Sequence, residues 1–230
     1  MRVALLFASK SEEFVYRPLQ EFLLKDHEVV FDVISPSCEP DRLREFLKKE
    51  TYDIVVAGSG LAALLPGVVA SLTAKPVFGV PVETCYGGLD ALLSMQQMPF
   101  GSPVLTCAPH NQTQDYSLFR FLNEIPNKKD QLVTLSLSES AKTYEYVSLE
   151  YKKLKQLAKH REISVEEHAS LEVLEKSEGF VINLVHAEER ISHLPHVINV
   201  PLFEKHMLRE PSRALSIFQW VSRGGMWVGM

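Results

Sequence analysis

From Arg2 to about Ile125 short runs of β-branched and aliphatic residues alternate with longer stretches of helical spacing. The runs are VALLFA, VVFDVI, DIVVAG, PVFGVP and PVLTC. Short, largely apolar runs of this kind suit strands buried on both faces. The intervening spacing predicts helices over 12–25, 39–50, 61–73, 88–97 and 113–124. Strand and helix in strict alternation imply a parallel sheet with helices on both faces.

The pattern changes near Asn127-Lys128-Lys129-Asp130, where we place a boundary between a 1–127 domain and a 128–230 segment. The second segment opens on a strand, QLVTLSL. A helix follows, on which Ala141, Tyr144, Val147, Tyr151, Leu154 and Ala158 keep helical spacing, with Tyr146 on the same element. Ser164-Val165-Glu166-Glu167 has the form of a capping box and predicts a second helix to about Ser177. Two strands, GFVINLV and VINVPL, precede a last helix near 211–222 and a glycine-rich tail, RGGMWVGM. This mixture reads as a small α+β extension of no assigned family.

With 230 residues, 46% of them hydrophobic, the chain can bury one large core or two small ones. The formal net charge of -5 and the lack of a dense Lys/Arg run exclude nucleic acid and an anionic membrane surface as main partners. A small molecule is the expected ligand. No apolar run approaches the roughly 18 residues needed to span a bilayer, and Met1-Arg2 leads into a strand too short for a signal peptide, so a cytoplasmic protein is expected. Cys38, Cys85 and Cys107 are few and scattered, which reads as free thiols.

A parallel sheet places chemistry in the loops beyond the carboxyl ends of its strands. The first such loop, Ala8-Ser9-Lys10-Ser11-Glu12, offers hydroxyls and helix N-terminal amides to a phosphate. After the third strand comes Gly58-Ser59-Gly60-Leu61-Ala62-Ala63-Leu64-Leu65-Pro66-Gly67, whose glycines admit a ligand close to the backbone. After the fourth comes Val80-Pro81, then Gly87-Gly88-Leu89-Asp90-Ala91-Leu92-Leu93-Ser94-Met95-Gln96-Gln97-Met98-Pro99. Each alone is as well explained by turn geometry; their order and spacing carry the weight.

In that order and spacing the chain resembles the PurE family, N5-carboxyaminoimidazole ribonucleotide mutase and aminoimidazole ribonucleotide carboxylase, over roughly residues 2–122. A GSxSD turn is matched by Ala8 through Glu12, with the aspartate lengthened to Glu12. A GxGGAAHLPG loop is matched by Gly58 through Gly67. A GVP turn and a GLDSLLSIVQMPxGxPV block are matched by Gly79-Val80-Pro81 and by Gly88 through Val104. The resemblance implies a three-layer, five-stranded flavodoxin-like α/β fold. It also implies a phosphorylated imidazole ribonucleotide as ligand, no cofactor, and assembly as a homo-octamer. Ser9, Ser11, Glu12, Ser35, Ser37, Cys38, Asp41, Gly58, Ser59, Gly60 and Leu64 are then the candidate ligand-binding positions.

The chain departs from the family where the chemistry lies. The family's SAHRTPD is Ser35-Pro36-Ser37-Cys38-Glu39-Pro40-Asp41 here, so Ser37 stands for the histidine that moves a proton and Cys38 for the arginine that holds the phosphate. The histidine of AAHLPG is Leu64. A serine hydroxyl does not titrate near neutral pH, and general acid-base work contributes about 10² to 10⁴ in rate, so the usual reaction is expected to fail. His110, after the fifth strand, is the candidate substitute, against the plainer reading of a solvated loop histidine. Cys38 has only Arg42 nearby to activate it. Glu12 and Glu39 could reach the pocket mouth, or serve the helix dipole. In the second segment His186, His193 and His196 lack metal-ligand spacing, since Pro195 interrupts them, and no metal is expected. Phe218, Trp220, Met226 and Trp227 read as core or subunit contact.

Two functions of different class follow. One is a divergent enzyme of purine biosynthesis rebuilt around residues such as His110. The other is a repurposed oligomeric scaffold that binds a nucleotide or sugar phosphate without turning it over.

Overall fold

Val3, Ala4, Leu5, Leu6 and Phe7 are all fully buried, as a strand sandwiched between two helical layers must be. They form β1 (Arg2–Phe7) of a computed structural model that describes residues 1–49, 51–99, 101–109, 117–125, 132–137, 141–168, 176–186, 194–202, 209–210, 212 and 226–228. The chain divides into two units, one built on residues up to 116 and the other from Ser117 onward. The helix Ser117–Glu124 therefore groups with the second unit, whereas the sequence pattern put the boundary after it.

In the first unit β1 is followed by β2 (Glu28–Val33), β3 (Ile54–Ser59), β4 (Val77–Pro81) and β5 (Leu105–Thr106). They lie in the order β2-β1-β3-β4-β5, all parallel. This is the flavodoxin-like sheet expected. Around it lie α1 (Glu13–Leu23), α2 (Pro40–Lys48), α3 (Leu64–Leu72) and α4 (Leu89–Gln96). Val15, Leu19 and Leu23 recur at helical spacing to give α1 its buried stripe, and Leu43 and Leu47 do so for α2. Pro40 sits at the start of α2, where a missing N–H costs nothing. Pro18 lies inside α1 on its exposed side, and the α-helix begins only after a 3-10 turn at Lys10–Glu12. One continuous core joins Ala4, Leu6, Val55, Ala57, Leu65, Val69, Met95 and Val104. On the α1 side Tyr16 bridges Phe7 and Phe31, with ring centroids 5.4 and 4.9 Å apart.

The second unit contains α5 (Ser117–Glu124), β6 (Leu132–Leu137), α6 (Glu145–His160), β7 (Ser164–His168), β8 (Phe180–His186), β9 (Val197–Leu202) and β10 (Met226–Val228). Here the expectation of an α+β extension is corrected. Its strands run in the order β10-β9-β8-β6-β7, every described pairing parallel. Two misread segments caused the error. Ser164 to His168 is a strand, not the start of a helix: its local capping pattern yields to a five-residue pairing with β6. Met226-Trp227-Val228, read as part of a tail, is a strand paired with β9. The long helix and the strands at QLVTLSL, GFVINLV and VINVPL stand where the pattern put them. Val147, Tyr144, Tyr151 and Leu154 pack with Leu137, Leu184 and Leu202. The helix expected near 211–222, apart from Ser212, and Phe218 and Trp220 lie outside the described residues.

Read from its own first strand, the second unit repeats the order of the first. The register repeats too. Val3 pairs with Ile54 as Val133 pairs with Phe180; Arg2 pairs with Glu28 as Leu132 with Ser164. Val55 pairs with Val77 as Val181 with Val197, and Phe78 with Leu105 as Ile198 with Met226. A short 3-10 turn follows the first strand in both, at Lys10–Glu12 and Ala141–Thr143.

Candidate functional site

The carboxyl edge of the first sheet is assembled by side chains that bind backbone. Ser9 caps the 3-10 turn: its Oγ accepts from the Ser11 N–H at 3.2 Å, while Glu12 Oε2 accepts from the Ser9 N–H at 3.1 Å. This capping box forms where the first strand ends and leaves the Ser9 and Ser11 hydroxyls 2.7 Å apart. The other oxygen, Glu12 Oε1, accepts from the Gly60 N–H at 2.7 Å, across to the loop after β3. Beneath this tie the Ala8 N–H donates to the Gly58 carbonyl at 3.2 Å.

Glycine is required at both ends of the third loop's entrance. A Cβ on Gly58 would stand 2.1 Å from the buried Phe7 ring, and one on Gly60 would stand 2.5 Å from Thr84 Cγ2. Thr84 thus brings the loop after β4 against the same point. That loop is held further by the Val82 N–H donating to the Ser59 carbonyl at 3.1 Å. The loop after β5 joins through Pro109, which lies 2.8 Å from where a Cβ on Gly88 would be. Ala62 and Tyr86 adopt left-handed φ of 50° and 52° in the third and fourth loops. Such backbone is uncommon for residues with side chains and gathers at functional loops.

The loop after β2 arrives by β1: the Ile34 N–H donates to the Phe7 carbonyl at 2.9 Å, and the Glu39 N–H closes a turn on the Ser35 carbonyl at 2.8 Å. Ser37 and Cys38 on this turn are exposed. Arg42, the cation beside Cys38 in sequence, is already engaged. It holds Asp32 through two bonds of 2.7 and 2.9 Å and Glu39 through one of 2.8 Å. The bond from Arg42 is the chief reason that Glu39 titrates below the usual carboxylate range. Asp41 accepts from Arg44 at 2.8 Å in the first turn of α2. Arg42 therefore ties the start of α2 to β2, and Asp41 serves its own helix.

Ser9, Ser11, Glu12, Gly58, Ser59 and Gly60 are brought together by direct bonds. Ser35, Ser37 and Cys38 lie on the neighbouring turn, and Leu64 starts α3. The edge also shows exposed apolar side chains: Leu61 is 70% exposed, Leu64 50% and Tyr86 84%. Thr84, Lys10 and Tyr86 escaped the sequence reading as site residues. Lys10, exposed between the two serines, acts electrostatically on Glu39. His110 lies outside the described residues, as does His193; the side chain of His186 is also not described. His196, in the second unit, is buried just before β9. Among the described residues no three His, Cys, Asp or Glu side chains gather as for a metal ion, and no helix is long and apolar enough to cross a membrane. Cys38 and Cys85 are exposed, and burial pushes the Cys107 thiol far up.

The model of a family described as AIR carboxylase matches residues 2–117 of this chain. An N5-carboxyaminoimidazole ribonucleotide mutase of Methanocaldococcus jannaschii is 51% identical over 86 residues, 36% of this chain and 55% of that protein. The mutase of Thermotoga maritima is 41% identical over 117 residues, 48% of this chain and 67% of that one. A bifunctional purine synthesis protein purC/E of Dictyostelium discoideum is 51% identical over 80 residues, 33% of this chain and 8% of its own length. The match thus spans little more than half the length of the first of these relatives.

Proposed function

Because this chain belongs to the AIR carboxylase family, we propose that its first unit binds a phosphorylated imidazole ribonucleotide and serves purine biosynthesis without the usual carboxylation or carboxy-group migration. The observation that carries the reading is the bonding of the loops after β1 and β3 through Glu12, which sets two serine hydroxyls and two obligatory glycines around one crevice. Ligands of open parallel sheets sit at this crevice, where the strand order reverses. Lys10, the hydroxyls and backbone N–H groups supply the contacts to a phosphate. The turn after β2 has no histidine and no free cation: Ser37 and Cys38 stand at the family's histidine and arginine positions, and Arg42 is committed to Asp32 and Glu39. The exposed thiols of Cys38 and Cys85 suit a reducing, cytoplasmic setting.

A thermal-shift series with aminoimidazole ribonucleotide and ribose 5-phosphate tests the binding. A ligand at 100 times its Kd adds about 2.7 kcal/mol, so a clear rise in Tm is expected; no rise with either compound overturns the reading. Turnover of N5-carboxyaminoimidazole ribonucleotide within about tenfold of ordinary enzyme rates, near 10 per second, overturns its second half.

The scaffold reading is favoured by the apolar side chains on the same edge, since Leu61, Leu64 and Tyr86 give a subunit boundary more to bury than a soluble phosphate ester needs. Self-association, as a homo-octamer, is the expected state. Light scattering at micromolar concentration checks it, and a monomer mass stable on dilution overturns it.

A further inference from the structure

We propose that the second unit carries a binding site of its own, a cleft between α6 and the sheet that takes a small amphipathic acid, its apolar body against the strands and its anionic head on Arg161. The cleft has a volume of about 500 Å³, within the roughly 300–1,000 Å³ of small-molecule sites. Val133, Val165 and Ile182, from three neighbouring strands, form its floor, and Leu154, Leu157 and Ala158 form its wall. Every residue that lines it is aliphatic except Arg161, which ends α6. The proposal is independent of the ribonucleotide reading of the first unit.

α6 is packed at one end and stands off the sheet at the other. In its first half Val147 is fully buried against Leu137, Leu184 and Leu202. In its last turns Leu157 is 51% exposed, and Ala158 offers only a methyl where a longer side chain would reach the strands. The fold itself does not require this opening. At the places of Val133 and Ile182 the first sheet has Val3 and Val56, both fully buried, whereas Val133 and Ile182 are only half-buried. An apolar surface kept open to this extent marks a place where an apolar partner is received. The charge at the mouth selects the partner. Lys152, Lys153, Lys155, Lys159, His160 and Arg161 are all exposed on the second half of α6 or at its end. Among the described residues no carboxylate pairs with Arg161, whose planar fork of donors fits a carboxylate. Cations at a helix end also suit its dipole, but the dipole calls for no apolar cleft beside them. A second copy presenting the same helix would bring like charge against like, and a neutral ligand would leave the fork unused.

The test uses the full chain, monomeric decanoate, decanol as its uncharged counterpart, and titration calorimetry. Decanoate should bind at one site per chain, and decanol about tenfold more weakly or worse, the usual worth of a charge-assisted bond. Arg161→Met, which keeps the length and removes the charge, should weaken decanoate by about the same factor and leave decanol unchanged. Ala158→Leu, which fills the cleft, should abolish binding of both. Should the leucine variant unfold, Leu157→Glu takes its part at a half-exposed place, where a carboxylate at the mouth should repel decanoate. No binding of decanoate to the parent overturns the proposal, as does binding that survives the filled or acidic cleft. Equal losses of decanoate and decanol in Arg161→Met overturn the role of the arginine as partner of the head. A parent that floats with anionic vesicles but takes up no monomeric decanoate assigns the cleft to a lipid surface. One that takes up no decanoate and whose mass in light scattering falls on Ala158→Leu assigns it to a second copy of this chain. Either result overturns the proposal.

Discussion

The two units of this chain share a plan and differ at its edge. Both order their strands alike and pair them in the same register, so most paired residues of one sheet have a counterpart in the other. At the carboxyl end, Gly58, Ser59 and Gly60 correspond to Leu184, Val185 and His186, and counting on from the first strand Glu12 corresponds to Lys142. Among the described residues, the second unit has neither a glycine at the places of Gly58 and Gly60 nor a carboxylate at that of Glu12. Strand order and register follow from runs of apolar residues, which many sequences satisfy, whereas a loop that admits a ligand depends on a few residues with no substitute.

The largest effect expected concerns the chemistry that, on the proposed reading, the first unit lacks. Ser37→His with Cys38→Arg returns a titratable ring and a phosphate-binding cation to the turn after β2. It should raise turnover of the carboxylated ribonucleotide by about 10² to 10⁴ over the parent, the usual worth of general acid-base catalysis. No gain in a variant that still binds the ribonucleotide would show that Leu64, or the loop beyond Pro109, has been altered beyond repair by these two changes.

The next contrast lies at one register place. Phe7 pairs with Gly58, and Leu137 with Leu184, so the first unit fills the space with one large and one absent side chain and the second with two of middle size. Gly58→Ala drives a methyl into a ring that is fully buried, and should destabilise the first unit by about 1–3 kcal/mol. Leu184→Ala opens a void instead and should cost the second unit about 2–5 kcal/mol. Urea unfolding followed by hydrogen exchange in each sheet measures both; a Gly58→Ala variant as stable as the parent would deny that the glycine is kept for space.

How far such places were legible in the sequence depends on how local their causes are. The five strands of the first unit were readable because each stands out as a short, largely apolar run between helical stretches, with β3 and β4 buried throughout, and its loops because the motif residues stand in fixed order. The role of Glu12 was not, since its partner Gly60 lies 48 residues away and nothing near Glu12 announces it. The second unit was misread for a related reason. Ser164-Val165-Glu166-Glu167 is locally a helix start, and only the distant strand β6 makes it a strand. Once that strand was lost to a helix, the parallel order could not be seen, and Met226 to Val228 had no sheet to join.

A smaller effect is expected within the second sheet. Asn183 and Asn199 sit at the places of Ala57 and Gly79, and the Asn183 Nδ2 donates to Asn199 Oδ1 at 2.9 Å in a buried setting. The first unit keeps small apolar residues there. Asn183→Ala removes one partner of a buried pair and should cost about 1–3 kcal/mol, measured by urea unfolding. A neutral outcome would mean that water replaces the lost amide.

The smallest effect is a slope with pH, and it separates the edges of the two units most directly. Burial raises the Glu12 carboxyl above 4.5, its ordinary value, against the opposing pull of the Gly60, Ser9 and Ala8 backbone bonds. Below that ordinary value the carboxyl is protonated in folded and unfolded chain alike, and contributes no slope. As pH rises past it the unfolded chain gives up its proton first, while the folded chain still holds one. Stability therefore falls with rising pH across this window and levels off once the folded carboxyl ionises. Glu12→Gln has nothing to titrate, so its stability relative to the parent should improve from pH 4.5 toward neutrality. Lys142→Met, made at the corresponding and exposed place of the second unit, should leave the parent's profile unchanged. Urea midpoints at half-unit steps of pH give the comparison. A glutamine variant that instead loses ground as pH rises would mean that the backbone donors outweigh burial, and that Glu12 is held as an ion the folded chain prefers.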